Sequence, residues 1–408
     1  MATQYHCPYR QSTLLQQALA PNKMRIAFLL GAGCPVSIQH TVDGISQPLI
    51  PDIKGLTALV HSSMEVSEKC KSNYSTLLSR FKGADGGAES PTIEDILSHL
   101  RSLQDVVRNG NIDGLNKDAL SQLDKEICGF TTTVVSQTLP EKGTAYHQFA
   151  TWVGGIQRTH AIEIFTPNYD LLIEQALEEH KIPYFDGFIG TKNAFFDLSS
   201  METDSLPSRW ARLWKVHGSI NWWRTKNNEV TRREIGLDDD RQMIYPSHLK
   251  YDQSRRMPYL AMLDRLRAFL ARGQGVLVTC GYSFSDQHLN EVILHGLRSN
   301  PTAMCFGLLR SPKAKYTEAF TKAKVTPNLS LLAADGAILG TLEREWRPNA
   351  QSEHPLHDIC ISTVKSQTED AQDIEKCKFL LGDFKHFGNF LAQQLSTPDD
   401  KAAETNAT

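Results

Sequence analysis

The chain has 408 residues, of which 40% are hydrophobic and 22% are charged. A chain of this size and composition can bury one large core or two moderate ones, so wholesale disorder is excluded. The formal net charge of −3 lacks the basic balance of nucleic-acid-binding proteins, so direct nucleic-acid binding is not expected. No apolar run approaches the roughly 20 residues that span a bilayer, and residues 1–21 lack a signal-peptide pattern. We therefore expect no membrane association and a cytoplasmic location.

The eight cysteines show neither a Cys-x-x-Cys pair nor a regular spacing. A disulfide framework and a four-cysteine zinc site both need such patterns. We therefore expect reduced, mostly buried thiols and no zinc.

Hydrophobic runs bounded by glycine and polar residues predict the first elements of the chain. A short buried strand is predicted at residues 24–30, directly before Gly31-Ala32-Gly33. From residue 57 to about residue 139 the apolar spacing becomes helical, with a glycine-rich break at residues 83–87. We interpret this segment as a helical insertion. Its predicted apolar face contains Ile93, Ile96, Leu97 and Leu100.

Strand-like segments return after the insertion, and helical patterns separate most of them. They cover residues 161–165, 212–216, 275–279, 303–309 and 329–333. Alternating strands and helices predict an α/β fold, with a Rossmann-like parallel sheet and helices on both of its faces.

Three segments lie outside this alternation. Residues 197–208 and 225–241 are polar and are predicted to form loops or an exposed hairpin. From about residue 347 the chain leaves the sheet pattern and ends in an amphipathic stretch at residues 374–395. The polar residues 396–408 are expected to be disordered.

The residues that follow each strand are the informative ones, because a parallel sheet binds ligands at the carboxyl ends of its strands. Gly31, Gly33 and then Ser37 follow the first strand. The missing side chains allow backbone N–H groups to approach a pyrophosphate, although a tight turn without a ligand needs the same glycines. The third glycine of the dehydrogenase fingerprint is missing, and Asp52 follows Ile-Pro rather than a second strand.

Three later strand ends also carry polar residues. Thr166-Pro167-Asn168-Tyr169-Asp170 opens a predicted helix, so Asn168 and Asp170 are candidates for ligand contacts or for helix caps. His217-Gly218 places an imidazole at a strand end, where it can transfer protons or serve a structural role. The segment from Cys280 to Asp286 is either a second phosphate-binding turn or a polar loop.

Together, these segments resemble the sirtuin, or silent-information-regulator-like, family in type, order and spacing. The resemblance rests on Gly31-Ala32-Gly33, Ile50-Pro51-Asp52, Thr166-Pro167-Asn168-Tyr169-Asp170, His217-Gly218 and the loop with Gly281 and Ser283. Pro167 replaces the glutamine that is usual in this family, whereas the Asn and Asp of the motif are retained.

The resemblance implies that the chain binds NAD⁺ as its substrate. Gly31, Ala32 and Gly33 would line the pyrophosphate site, and Gly281 and Ser283 would hold a phosphate or the adenosine ribose. Asp52 and Asp170 would face the nicotinamide, while Asn168 and His217 would flank the reacting ribose. The remaining residues assigned to NAD⁺ binding are Ser37 and Thr166.

The segment after His217 departs from deacetylating sirtuins, which carry a zinc ribbon held by two Cys-x-x-Cys pairs at this point. Residues 220–231 are instead predicted to form a zinc-free hairpin, with Trp222 and Trp223 in its core rather than stacked on a ligand. This replacement resembles the prokaryotic sirtuin-like branch of anti-phage defence, in which the domain consumes NAD⁺.

The implied activity is an NAD⁺ hydrolase that cleaves the nicotinamide–ribose bond through an oxocarbenium-like transition state. Asn168 would orient a ribose hydroxyl or a water, and His217 would act as general base. Asp52 and Asp170 would bind the nicotinamide amide. The alternatives are a protein deacylase or ADP-ribosyltransferase and a non-catalytic nucleotide sensor, and cyclisation of the ADP-ribose product also remains open.

The resemblance also implies an organisation and partners. Residues 1–346 would form the NAD⁺-binding catalytic domain, and residues 347–395 a region for packing or assembly. We expect a homo-oligomer controlled by a separate partner protein, and we prefer a HerA-type ATPase to a short Argonaute in this role. The partner, or a second copy of the chain, would dock on the helical insertion or on the C-terminal amphipathic stretch. The alternative for that stretch is packing against its own domain. Its apolar residues are Phe379, Leu380, Phe384, Phe387 and Leu391.

Overall fold

The computed structural model describes residues 4–395, except residues 22–23, 82–90, 108–109, 142, 156–157, 204, 226–228, 234–256, 349–354 and 368–372. The helices described are α1 (Pro8–Ala18), α2 (Gly33–Val36), α3 (Ile53–Val66), α4 (Lys71–Ser79), α5 (Ile93–Val107), α6 (Lys117–Val135), α7 (Ala145–Gly155), α8 (Leu172–Glu179), α9 (Leu198–Thr203), α10 (Tyr259–Ala271), α11 (Gln287–Ser299), α12 (Thr317–Ala323), α13 (His357–Cys360) and α14 (Phe384–Gln393).

The strands described are β1 (Arg25–Leu30), β2 (Gln39–Val42), β3 (Ile45–Pro48), β4 (Asn111–Ile112), β5 (Leu115–Asn116), β6 (Glu163–Thr166), β7 (Tyr184–Phe185), β8 (Phe188–Ile189), β9 (Ala194–Phe196), β10 (Ala211–Lys215), β11 (Trp222–Arg224), β12 (Val230–Arg232), β13 (Gly275–Cys280), β14 (Ala303–Leu308), β15 (Leu329–Leu332), β16 (Gly336–Leu339), β17 (Leu342–Glu345), β18 (Ile361–Gln367) and β19 (Asp373–Phe379).

The main sheet has nine strands in the order β17-β16-β15-β14-β13-β1-β6-β10-β7. Its strands run parallel from β15 to β7, and the antiparallel strands β16 and β17 extend one edge. The predicted α/β fold with a parallel sheet is confirmed. Each of the six strands predicted for this sheet begins and ends within two residues of its predicted bounds.

The two faces of the sheet are buried in two different cores. Along β1, Ile26, Phe28 and Leu30 point into a first core, whereas Ala27 and Leu29 point into a second. The first core contains residues of α7, α8 and α14, and the second contains residues of α10, α11 and α12. Helices therefore cover both faces, which explains why the central strands are apolar without alternation.

The predicted insertion forms α3 to α6, which lie between β1 and β6 in the sequence. Its predicted apolar face is confirmed, since Ile93, Ile96, Leu97 and Leu100 are at most 1% exposed. Helix α6 begins after Asn116, whose side chain accepts a hydrogen bond from the N–H of Ala119. The expected glycine-rich break at residues 83–87 lies outside the described residues.

The predicted hairpin after His217 is present as β11 and β12, which pair in antiparallel fashion and join β9 and β8 in a four-stranded sheet. Trp222 packs against Phe188 and Tyr259, with ring centroids 5.1 and 5.6 Å apart. Trp222 and Trp223 are both buried, so their prediction as core residues is confirmed.

The expectation of a loop or an exposed hairpin at residues 197–208 is corrected, because α9 occupies part of that segment. Asp197 accepts hydrogen bonds from the backbone N–H and the hydroxyl of Ser200, which favours a helical turn at this point. In the second polar segment, β12 covers residues 230–232, and residues 234–241 lie outside the described part of the chain.

The amphipathic stretch at residues 374–395 divides into β19 and α14. Asp383 accepts a hydrogen bond from the N–H of Lys385, so the helix begins there. Phe384 packs on Tyr146 with ring centroids 4.9 Å apart, and Phe387 packs on Phe28 at 6.1 Å. The apolar face of α14 therefore packs against the chain's own domain, which is the alternative to docking that the sequence analysis gave for this stretch. Residues 396–408 lie outside the described residues.

All eight cysteines are free thiols, and six of them are buried. None of the helices that the structure describes is long and apolar enough to span a bilayer.

Truncation of Phe387 tests whether α14 belongs to the first core. Phe387 is fully buried, so we expect Phe387→Ala to lower the free energy of unfolding by about 3–5 kcal/mol. Lys385→Ala, at an exposed position of the same helix, should change it by less than about 0.5 kcal/mol. Urea denaturation of the two variants measures both values, and equal midpoints would contradict the packing of α14.

Candidate functional site

The sheet brings four predicted turns to the carboxyl ends of four adjacent strands, β13, β1, β6 and β10. Leu30 pairs with Cys280, and Thr166 pairs with Lys215, so these strands end at similar levels. From β1 the chain continues to β6, its neighbour toward one edge of the sheet, whereas from β13, the other neighbour of β1, it continues to β14 toward the opposite edge. A crevice is expected at such a change of direction, and ligands of open α/β sheets bind there.

The turns after β1 and β13 touch through their backbones. The N–H of Gly31 donates to Cys280 O at 2.9 Å, and that of Gly33 donates to Gly281 O at 2.8 Å. A Cβ on Gly31 would lie 2.4 Å from Gly281 O, and one on Gly281 would lie 2.5 Å from the Cys34 nitrogen. Gly281 also has a φ of +64°. These glycines are therefore required by the crossing itself.

This backbone crossing, at which the turns after β1 and β13 meet, bears on the expectation that the first turn binds a pyrophosphate. The N–H groups of Gly31 and Gly33 already donate within the protein, so their glycines have a structural cause independent of any ligand. Ala32 is the exposed residue of the turn. The Ser37 hydroxyl donates to Cys34 O at 2.7 Å, at the end of the short helix α2.

Asn168 lies beside the crossing. Its Nδ2 donates to Gly31 O at 3.1 Å, and its backbone N–H donates to Thr166 Oγ1 at 3.1 Å. Thr166 in turn donates to Leu30 O at 2.7 Å. Because the amide nitrogen faces Gly31, the acceptor Oδ1 is turned away from that carbonyl. Asn168 is therefore held half-buried, with its carbonyl end oriented as a hydrogen-bond acceptor.

His217 contacts a residue from the opposite side of the site. Its Nε2 lies 3.2 Å from Oδ2 of Asp286, and both side chains are largely buried, at 15% and 13% exposure. Asp286 also accepts a hydrogen bond from the N–H of Leu289 through Oδ1, at 3.1 Å, and so caps α11. The sequence motif had indicated His217 but not its partner.

The loop from Gly281 to Asp286 has a well-defined conformation. Phe284 has a φ of +58°, which is rare for a bulky residue. The buried Asn290 donates through Nδ2 to Phe284 O at 2.6 Å and accepts from the Tyr282 hydroxyl at 2.9 Å. Ser283 is exposed, and its Oγ lies 2.6 Å from Oγ of Ser285.

A buried charged cluster lies beneath the turn of Asn168. Lys215 Nζ donates to Asp170 O and to Glu174 Oε1, the latter at 3.0 Å. Burial raises the pKa of the Asp170 and Glu174 carboxyls, and the positive charge of Lys215 opposes this effect on each pKa. Asp170 Oδ1 accepts from the N–H of Leu172, the first residue of α8, at 3.1 Å, although the N-cap position of this helix is Leu171.

Asp52 is exposed and caps α3, accepting a hydrogen bond from the N–H of Gly55 at 2.8 Å. Within the described part of the chain, no hydrogen bond or ion pair connects Asp52 to the four turns. The expected contact of Asp52 with a nicotinamide remains a prediction.

Sequence reasoning did not single out Lys215, Glu174 or Asp286 as site residues. For Lys215 a signal existed, since it is a lysine near the end of the strand predicted at residues 212–216, and lysine is rarely buried. No comparable signal marked Asp286, because its contact with His217 joins distant segments. Among the residues described, no group of three or more His, Cys, Asp or Glu is arranged to hold a metal ion.

Removal of the Lys215 charge tests the buried cluster. In Lys215→Met, both carboxyls lose their cation, and we expect the free energy of unfolding to fall by about 3–5 kcal/mol near neutral pH. The folded-state pKa values of Asp170 and Glu174 lie above the ordinary 3.8 and 4.5, so the stability associated with these groups falls as the pH rises through the raised values. Without Lys215 the pKa values of Asp170 and Glu174 rise further, so both carboxyls are neutral at low pH and no longer need the cation. The loss of unfolding free energy in Lys215→Met should therefore shrink as the pH is lowered toward about 4.

Denaturant unfolding at several pH values measures this difference. The control is Lys192→Met, at an exposed position, which should cost less than about 0.5 kcal/mol at each pH. A loss for Lys215→Met that does not depend on pH would contradict the electrostatic role.

Comparisons with known proteins bear on part of the chain. Residues 162–327 match the family described as a SIR2-like domain. No curated protein is similar enough to be matched. The chain is similar to the crystal structure of a Sir2 homologue–NAD complex, with a TM-score of 0.38, 13% identity and coverage of 78% of this chain and 88% of that chain. It is also similar to a mutant Sir2 homologue in complex with ADP-ribose, with a TM-score of 0.33, 13% identity and coverage of 74% and 87%. The segment that contains β6, β10, β13 and their turns thus carries the SIR2-like pattern.

Proposed function

We propose that this chain is an NAD⁺ hydrolase that releases nicotinamide and ADP-ribose. The observation that carries the proposal is the convergence of the predicted turns at the carboxyl ends of four adjacent strands, with Asn168 and His217 in two of them. The SIR2-like match over residues 162–327 supports it, because that segment includes three of the four turns.

Asn168 has the chemistry of an orienting group. Cleavage of the nicotinamide–ribose bond leaves positive charge on the ribose, so orientation and polarisation matter more than nucleophilic attack by a side chain. The hydrogen bond from Nδ2 to Gly31 O fixes the amide, and its Oδ1 would accept a hydrogen bond from a ribose hydroxyl or from the attacking water.

His217 has the chemistry of a general base. The glycosidic electron pair leaves with nicotinamide, a water oxygen bonds to the ribose carbon, and the proton of that water passes to the imidazole. The overall reaction consumes one water and releases one proton. We assign neither Asp52 nor Asp170 a step, since the side chains of both already accept hydrogen bonds from backbone N–H groups.

Water is the acceptor in this proposal because a deacylase needs a groove for an acylated peptide between the main sheet and a zinc ribbon. The segment after His217 forms the hairpin β11–β12, which packs with β9 and β8. By the family resemblance, this is the position at which deacylating relatives carry a zinc ribbon. Transfer to a protein and cyclisation of ADP-ribose remain outcomes that a product analysis distinguishes.

The site assignment is tested with Asn168→Ala and His217→Ala. We expect each change to reduce NAD⁺ loss by at least about 100-fold, because orientation and general-base catalysis each contribute factors of this size. Chromatography of the products after incubation of the purified chain with NAD⁺ measures the rate and separates hydrolysis, cyclisation and transfer.

His295→Ala is the matched control, since His295 is an exposed histidine of α11. This variant should retain the wild-type rate. The thermal unfolding midpoints of all three variants should stay close to that of the wild type, because neither Asn168 nor His217 fills a large core cavity. Wild-type turnover in a folded Asn168→Ala or His217→Ala variant would contradict the assignment.

The proposal includes a role in anti-phage defence by NAD⁺ depletion, in a homo-oligomer controlled by a HerA-type ATPase. A cytoplasmic enzyme that consumes NAD⁺ needs such control. Because the apolar face of α14 is covered, we assign docking to the helical insertion. Leu59, Val66 and Val106 of this insertion are 44%, 82% and 68% exposed.

The control is tested by light scattering and by an NADase assay, each with and without the ATPase. We expect an oligomer at micromolar concentration and a rate that changes when the ATPase is added. Val66→Asp and Val106→Asp should weaken this response, whereas Val325→Asp, at an exposed position in a loop after α12, should not. A fully active monomer that ignores the ATPase would contradict this part of the proposal.

A further inference from the structure

The contact between His217 and Asp286 spans the width of the site. His217 follows β10 and Asp286 follows β13, and two strands, β1 and β6, separate them in the sheet. Neighbouring strands lie about 4.8 Å apart, so the contact bridges three spacings, or about 14 Å. The segments after β10 and β13 must therefore together extend over the ends of β1 and β6, and Gly281 already contacts the turn after β1.

The loop from Gly281 to Asp286 is held in its course. Asn290 is 2% exposed, and it binds both Phe284 O and the Tyr282 hydroxyl. Tyr282 and Phe284 also pack on each other, with ring centroids 4.9 Å apart. These contacts fix the point at which the loop enters α11, and hence the position of the Asp286 side chain.

The two oxygens of Asp286 have different partners. Oδ1 accepts from the N–H of Leu289, and Oδ2 faces Nε2 of His217 at 3.2 Å. An ionised carboxylate only accepts hydrogen bonds, so it favours the ring tautomer that carries its proton on Nε2. In that tautomer Nδ1 is the proton acceptor of the ring.

We propose that Asp286 is a positioning residue, which holds His217 in the Nε2–H tautomer and thereby makes Nδ1 the nitrogen that receives the proton. This inference rests on the proposed role of His217 as general base. Asp286 acts only through the histidine and does not touch the substrate. The loop from Gly281 to Asp286 then serves to bring this carboxylate to the histidine.

Asp286→Asn separates the two functions of the residue. The amide Oδ1 still accepts from the N–H of Leu289, so the helix cap is kept. The amide Nδ2 replaces the carboxylate oxygen and donates to His217, which favours the opposite tautomer. We expect kcat for NAD⁺ loss to fall by about 100-fold or more, as for an incorrectly oriented general base, with KM within about two-fold of the wild type.

Two further variants make the kinetic result specific. Asp197→Asn changes a carboxylate with a similar capping contact, to Ser200, and it should leave kcat unchanged. His217→Gln removes the group through which Asp286 acts, so the double variant Asp286→Asn/His217→Gln should be no slower than His217→Gln alone. An additional loss in the double variant would overturn the positioning role.

The tautomer is measured directly by ¹⁵N NMR of the full chain with labelled histidine, at about pH 8.5, well above the ordinary histidine pKa. The spectrum of His217→Gln assigns the His217 signals by their disappearance. We expect a protonated Nε2 and an unprotonated Nδ1 in the wild type, and the reverse in Asp286→Asn. Unchanged His217 signals in Asp286→Asn would overturn the proposal, as would an unchanged kcat.

The two measurements distinguish the failure of this inference from the failure of the proposed function. A wild-type chain that leaves NAD⁺ intact would contradict the hydrolase activity, and the NMR spectra would then still decide whether Asp286 orients His217. A wild-type chain that consumes NAD⁺, with a fully active Asp286→Asn variant, would overturn this inference alone.

Discussion

The backbone crossing between the turns of Gly31 and Gly281 is the constraint on which the site depends. β1 and β13 pair along their whole length, and their turns approach so closely that neither glycine can carry a Cβ. Asn168 takes its orientation from the carbonyl of Gly31, and the loop that ends at Asp286 starts at Gly281. The positions of both polar groups therefore follow from one contact between two main chains, which no side-chain rearrangement can adjust.

The buried lysine shows a second way in which the fold orients polar groups. Lys215 is the last residue of β10 and is 2% exposed. Its ammonium group connects the backbone at Asp170 with Glu174 of α8. A buried pair of this kind adds little net stability, since desolvation offsets most of the attraction. Its effect here is to fix the turn of Asn168 against the strand that precedes His217.

The strands were predictable because each is a short apolar run that ends at glycine or polar residues, as Gly275–Cys280 does before Gly281. The parallel sheet and the helices on both of its faces followed from the alternation of strands and helices, whereas the order of the strands was not predicted. The contact of Asp286 with His217 was not predictable, because it depends on the paths of two segments that follow strands separated by two others. Asp170 and Asp52 were assigned to a ligand by resemblance, and the structure adds that their side chains accept hydrogen bonds from the N–H groups of Leu172 and Gly55.

The packing of Phe387 on Phe28 has a consequence for biosynthesis. β1 is synthesised before α14, which packs on one of its faces, and all nine strands of the main sheet are translated before α14. The first core cannot close before that, although Phe28 also packs on Phe149 and Trp152 of α7, so the part of this face that Phe387 covers remains exposed until α14 is made. Contacts between such distant segments also slow folding, because a large loop must close before they form. The chain therefore has to complete its fold after synthesis of residue 393 rather than in step with translation.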